Sequence, residues 1–349
     1  MKSLVSILIP AFNAEETIGS TIQSALAQTW QPTEIIVVDD GSSDRTAERA
    51  RRFGPRVKVV STENRGLSAA VNHAYRLSHG DYIQELDSDD LLAPDKIERQ
   101  LAALREGDSK RILLSSPWAS FYYRTRPARI VYNSLWQDLP PAEWMIRKMS
   151  ENLHMQNATW LVSRELAEAA GPWDTRLHYD QDGEYYARVL MASEGTRFVP
   201  ETAIFYRATG VGSISYIGTS DKKKESLLLS MKLQIQYLRS LEESERVRKA
   251  CLTYLQNWYG AFCPERPDLS AEMQHLAAQL QGHLEEPRLC PKYAWMKPLF
   301  GSKTAKWAQR AFPQFKASCF RYCDKAMYRI ETRGASLTMP PAVNAGQRD

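Results

Sequence analysis

Asp81-Tyr82-Ile83-Gln84-Glu85-Leu86-Asp87-Ser88-Asp89-Asp90 runs from a short strand-like stretch directly into three acids within four residues. On its own an Asp-x-Asp is as well explained by a solvated turn. At the exit of a buried strand it sets hard oxygen ligands at the rim of a crevice. There Mg²⁺ or Mn²⁺ is held through one or two carboxylates plus the oxygens of a bound diphosphate. The sequence upstream decides between these readings.

Three further strand-like runs precede it: Val5-Ser6-Ile7-Leu8-Ile9, Glu34-Ile35-Ile36-Val37-Val38 and Val57-Lys58-Val59-Val60. Continuous apolar runs fit strands covered on both faces, as in parallel sheets. Helical patterns lie between them. Asn13 and Glu16 are spaced as a capping pair ahead of Ile18, Ile22, Ala25 and Leu26, while Leu67, Val71, Ala74 and Tyr75 form a second stripe closed by Gly80. A third helix is predicted to start near Arg45. The fold class is α/β, a doubly wound, mostly parallel sheet, which binds ligands outside the carboxyl ends of its strands. Three strand ends then deliver Pro10, Phe12 and Asn13, then Asp39 and Asp40, then Asp87, Ser88 and Asp89, to one crevice. Carboxylates gathered there repel one another unless a cation or donors intervene.

Four segments in order, Val5–Glu16, Ile35–Thr46, Asn64–Ala74 and Leu86–Asp90, resemble the family 2 glycosyltransferases of the GT-A fold. The likeness is specific over roughly residues 3–110 and looser to about 215. It implies an inverting transferase (hexosyltransferase-type) that moves a sugar from a nucleoside-diphosphate donor, such as a UDP-sugar, to a hydroxyl of a glycan or lipid-linked acceptor. That chemistry belongs to cell-surface polysaccharide or glycoconjugate assembly. The resemblance gives Asp39 the nucleobase, with Pro10, Phe12, Asn13, Asp40, Arg65, Asp87 and Ser88 around the nucleotide sugar. It gives Asp89 the metal, Mn²⁺ or Mg²⁺, with Asp87 in support.

An inverting transfer also needs a base for the acceptor hydroxyl. The family places it in a Glu-Asp pair opening a helix after a Gly-x-x-Asp segment. Gly171-Pro172-Trp173-Asp174 is followed here by Tyr179-Asp180-Gln181-Asp182-Gly183-Glu184. Asp182 takes the base position and Gln181 stands where the family has glutamate. Asp180 and Glu184 are rivals, and the acids also suit the N-terminus of a helix over 183–194. Gln156, Trp160, Gln181 and Arg207 are candidate acceptor or phosphate contacts, with Asn157 beside them and Gly212-Ser213 in a loop near the diphosphate. Two other classes compete. A nucleotidyltransferase of similar fold wants a glycine-rich basic loop where Pro10–Glu16 is acidic. A non-catalytic nucleotide-sugar-binding protein is favoured only by Gln181.

The 349 residues divide into a GT-A region over 1–220 (nucleotide-sugar half 1–110, acceptor half 111–220), a helical extension over 221–335, and a disordered tail over 336–349. Residues 221–258 read as one long helix or a broken pair, with another helix at 270–284. Five cysteines, an odd count without metal-ligand spacing, fit a reducing cytoplasm. The net charge of +4 hides an uneven distribution, since 292–333 carries ten Lys or Arg against two acids. Phe315, Cys319, Tyr322, Ala326 and Ile330 share a helical face there. That face either packs on the catalytic region or adsorbs to an anionic membrane surface, which would place the protein peripherally at the inner face of a membrane. No nucleic-acid module accompanies the charge.

Overall fold

The computed structural model describes residues 2–125, 128–130, 132–208, 217–218, 220–287 and 290–331. Gly212, Ser213 and the 336–349 tail lie outside these. Strands β1 (Val5–Ala11), β2 (Thr33–Asp40), β3 (Val57–Thr62) and β4 (Tyr82–Glu85) pair in parallel in the order β3-β2-β1-β4. Their side chains alternate between faces. Ile7, Ile9, Ile35 and Val37 join one core with Ile18 and Ile22 of α1 (Ile18–Leu26). Leu8, Ile36, Val38 and Ile83 join the other with Ala70, Val71 and Ala74 of α3 (Leu67–Arg76), the short α2 (Thr46–Arg51) preceding β3. Coverage on both faces is why the strands read as unbroken apolar runs.

Two local expectations fail. Asn13 and Glu16 do not cap α1, whose N-cap Thr17 makes no side-chain cap bond. Asn13 instead adopts φ +47° and its Oδ1 accepts from the Ser43 N–H at 2.9 Å, tying the β1 loop to the β2 loop. Gly80 does not end α3, which stops at Arg76. A Cβ on Gly80 would lie 2.4 Å from Ser6 Oγ and 2.5 Å from Ser6 N, so this residue lets the chain enter β4 tightly against β1.

Beyond the sheet, β5 (Leu91–Leu92) follows the acidic turn and α4 (Lys96–Ala102) packs behind it. Strands β6 (Ile112–Ser115), β7 (Trp118–Phe121), β8 (Arg129–Ile130), β9 (Val162–Ser163), β10 (Gly195–Phe198) and β11 (Ile204–Arg207) complete the α/β part. β9 closes the main sheet antiparallel to β4, β10 pairs β6, and β5-β11-β7-β8 forms a small mixed sheet. Helices α5 (Pro141–Glu151), α6 (Arg164–Ala170) and α7 (Gln181–Ala192) cover the α3 side.

The 221–258 stretch is a broken pair, α8 (Asp221–Leu241) and α9 (Glu245–Tyr259), with Ser244 Oγ accepting the Val247 N–H at 3.4 Å. Leu227, Met231 and Leu238 of α8 share one core with Tyr185 and Leu190 of α7 and with Met273 of α10 (Pro267–Gln279). A short α11 (Pro291–Ala294) leads into α12 (Met296–Glu331), broken at Gly301, where φ is +82°. Among the described residues no helix is long and apolar enough to cross a membrane.

Candidate active site

Register sets the acids at one height. Ala11 is level with Asp39 and Leu8 with Glu85, so Asp39 leaves the sheet on one side of β1 and Asp87 on the other, roughly 10 Å apart across two strand spacings. Alternation then gives the paired acids of β2 different tasks. Asp40 faces α3, and its carboxylate accepts from the backbone N–H groups of Arg65 at 2.9 Å and Gly66 at 2.8 Å. It fixes the turn into α3. Asp39 points to the other face, buried, and its Oδ1 has no hydrogen-bond partner among the described residues. A buried carboxylate oxygen without a donor is costly, and an N–H from a ligand would satisfy it. Phe12 is half exposed beside it and Pro10 is buried within β1.

The acidic turn is held from beneath. Asn157 Nδ2 and Gln156 Nε2 donate to Asp87 at 3.1 and 3.3 Å, and Gln156 Nε2 also reaches Asp90 Oδ2 at 2.6 Å. Asp90 Oδ1 accepts the Arg207 N–H at 2.7 Å, while Arg207 Nε donates to the Asp89 carbonyl at 2.7 Å and Nη1 to the Tyr122 carbonyl at 3.1 Å. Thr21 Oγ1 donates to the Ser88 carbonyl at 3.0 Å. The Asp89 carboxylate receives no side-chain donor among the described residues. Burial pushes Asp87 up to about 6, helped by the charge of Asp89. Burial also raises Asp89, against the pull of Arg207, and raises Asp90 well above the ordinary range. Such a cluster favours a cation. No three His, Cys, Asp or Glu among the described residues form a ready-made metal cage, so a divalent ion on Asp89 and Asp87 would complete its shell with diphosphate oxygens and water.

The acids of 180–184 fall into different roles. Asp180, at φ +57°, accepts at Oδ2 from Ser230 Oγ and Gln234 Nε2, each at 2.7 Å, and so anchors the α7 N-terminus to α8. Glu184 forms a two-point ion pair with Arg188 at 2.7 and 2.9 Å and accepts from Tyr237 Oη at 2.8 Å. Among the described residues no side chain donates to Asp182. Burial lifts its carboxyl to about 6, with Asp180 and Asp87 adding repulsion and buried Lys148 opposing them. Asp182 and Asp87 therefore share one electrostatic neighbourhood.

The other sequence candidates already have surroundings of their own within the protein. Trp160, read as an acceptor contact, is 1% exposed and stacks on Tyr186 at 5.4 Å because it fills the core. Arg207, read as a phosphate contact, spends its guanidinium on the Asp89 and Tyr122 carbonyls. Gln181 is buried at the start of α7. The Arg65 guanidinium is exposed, 3.6 Å from Glu63. Glu85 was missed: Trp173 Nε1 donates to it at 3.0 Å, and burial with the Asp87 charge lifts it to about 8. Its place as the last residue of β4, two before Asp87, was the available signal.

The sequence profile of Glycosyl transferase family 2 matches residues 6–169. The chain carries a family 2 glycosyltransferase domain. An uncharacterized glycosyltransferase of Rickettsia typhi is 31% identical over 196 residues, covering 54% of this chain and 59% of that protein. Chondroitin synthase of Escherichia coli is 43% identical over 106 residues, which is 30% of this chain and 16% of that protein. The chain thus spans less than two thirds of these curated relatives. Among solved structures, Staphylococcus aureus TarS in complex with UDP-GlcNAc superposes with a TM-score of 0.64 at 16% identity, covering 89% of this chain and 92% of that one. A mannosyltransferase from Pyrobaculum calidifontis, in complex with GDP-Man and Mn²⁺, gives 0.55 at 18% identity over 95% and 86%. The fold is GT-A, a mostly parallel sheet with a helical C-terminal region.

Proposed function

We propose that the protein is an inverting glycosyltransferase that moves a sugar from a nucleoside diphosphate, with UDP-sugars the first donors to test, to an acceptor hydroxyl on a glycan or lipid-linked molecule. The observation that carries this is the division among the acids of α7: Asp180 and Glu184 are engaged by α8 and Arg188, while Asp182 keeps its carboxylate open beside Asp87. An acid near 6 is largely ionised at neutral pH yet basic enough to help a proton transfer.

Asp39 accepts from the nucleobase. Asp89, with Asp87, would hold a divalent ion, which would supply positive charge to offset that of the departing diphosphate. Asp182 takes the proton from the acceptor hydroxyl as its oxygen attacks the anomeric carbon from the side opposite the leaving group. The bond from that carbon to the diphosphate oxygen breaks, its electron pair leaves with the nucleoside diphosphate, and the anomeric centre inverts. The names of the relatives support a nucleotide-sugar donor, and the Mn²⁺ in the mannosyltransferase complex supports a divalent ion.

A panel of nucleotide sugars screened by thermal shift with and without Mn²⁺ identifies the donor through its stabilisation of the fold. Asp182→Asn should then leave donor affinity nearly unchanged and lower turnover by roughly 10²–10⁴. A variant with near-parental turnover would move the base to another residue. Asp89→Asn should remove the Mn²⁺-dependent part of the shift.

A further inference from the structure

Helix α12 is amphipathic, and it packs the wrong way round for a core helix. Asp324, Lys325 and Tyr328 face the protein. Asp324 accepts from the backbone N–H groups of Tyr123 at 2.9 Å and Arg124 at 3.1 Å and pairs with Arg124 Nε at 2.7 Å. Glu331 also pairs with Arg124, at 2.8 Å, and Lys325 lies 3.8 Å from Glu16. Tyr328 meets Tyr123 with the rings tilted and their centres 6.1 Å apart. At about 100° per residue, the opposite side carries Phe315, Cys319, Tyr322, Ala326 and Ile330, and all five are exposed. Phe315 is 71% exposed, Tyr322 79% and Ile330 65%. Lys316 and Arg329, both exposed, border that apolar stripe on either side.

Charge is sorted along with polarity. The two acids of 292–333, Asp324 and Glu331, are both spent on Arg124, so the outward side keeps basic residues without acids. A contiguous exposed apolar face of this size marks an interaction surface. Aromatic residues flanked by Lys and Arg match the boundary of acyl chains and anionic headgroups. The docked side meets Tyr123 and Arg124, next to Tyr122, whose carbonyl helps hold Arg207 over the acidic turn.

We propose that the outward face of α12 binds an anionic lipid surface and sets the mouth of the crevice beside it. The inference goes beyond the transfer reading, and vesicle binding is measured without donor or acceptor, so either can fail alone. The full chain should float with vesicles of phosphatidylcholine and phosphatidylglycerol, much less with phosphatidylcholine alone, and high salt should release it. Neutralising Lys316→Gln with Arg329→Gln should weaken binding roughly 30-fold at low ionic strength. Phe315→Ala with Tyr322→Ala and Ile330→Ala should abolish flotation while circular dichroism and donor-induced thermal shift stay parental. Absence of flotation on anionic vesicles overturns the proposal. So does parental binding by the triple variant, or a dimer in solution that the triple variant converts to monomer, since a second copy would then own this face.

Discussion

The open carboxylate of Asp182 has one buried cation acting on it. Lys148 donates to Gln234 Oε1 and lies 5.6 Å from the Tyr254 ring centre, and its charge holds Asp182 down against burial and two neighbouring acids. Asp182 must be ionised to accept a proton, so kcat/KM should fall as pH drops through about 6. Lys148→Met removes the opposing charge and should move that acid limb to higher pH by up to about one unit; an unmoved limb would show that Lys148 only packs. Residue type and spacing marked Asp87, Asp89 and the acids of 180–184 as candidates, because strand exits and helix starts are local features, and the family resemblance put Asp182 ahead of Asp180 and Glu184. They could not assign Asp180 or Arg207, whose partners Ser230, Gln234 and the Asp89 carbonyl lie far away in the chain.

Among elements, β1 and β2 were legible as apolar runs, since coverage on both faces leaves its mark along them, whereas β4 showed only through Tyr82 and Ile83 ahead of the acidic turn. The connections were less so. Asn13 resembles a helix cap in sequence but is drawn off by the Ser43 N–H, and Gly80 resembles a helix stop but is a contact point. Its hydrogen atom occupies the space that would otherwise meet the backbone of Ser6 and the carbonyl of Tyr82. Gly80→Ala should therefore destabilise the protein by roughly 1–3 kcal/mol, read as a lower urea midpoint, because two of the three atoms it would strike, Ser6 N and the Tyr82 carbonyl oxygen, are main chain and cannot turn away. The orientation of α12 was equally hidden: the helical spacing located its apolar face, but the contacts of Asp324, Lys325 and Tyr328 show that the other side meets the protein.

For the molecule as a whole, the crevice is a cost carried by the rest of the fold. Folding raises Glu85 from the ordinary carboxyl range to about 8, so between those limits the native state binds a proton that the unfolded chain does not, and stability falls as pH rises. Other buried groups shift as well, some with the opposite sign, including Lys96 and Lys148, which burial lowers. The informative quantity is thus a difference. Relative to the parent, Glu85→Gln should gain stability as pH rises towards 8, by up to roughly 1.4 kcal/mol per pH unit, measured by urea denaturation at several pH values. A constant difference would mean that Glu85 does not titrate in this window.

The hydrogen bonds from α8 to Asp180 imply that its neighbour Asp182 borrows its footing from a part of the chain that the family profile, ending at residue 169, leaves out. Shortening the protein after residue 220 would not release a minimal catalyst. It would strip Ser230, Gln234 and Tyr237 from the start of α7 and leave a raw apolar flank, so the fragment should aggregate and fail to turn over even with Asp87 and Asp89 intact.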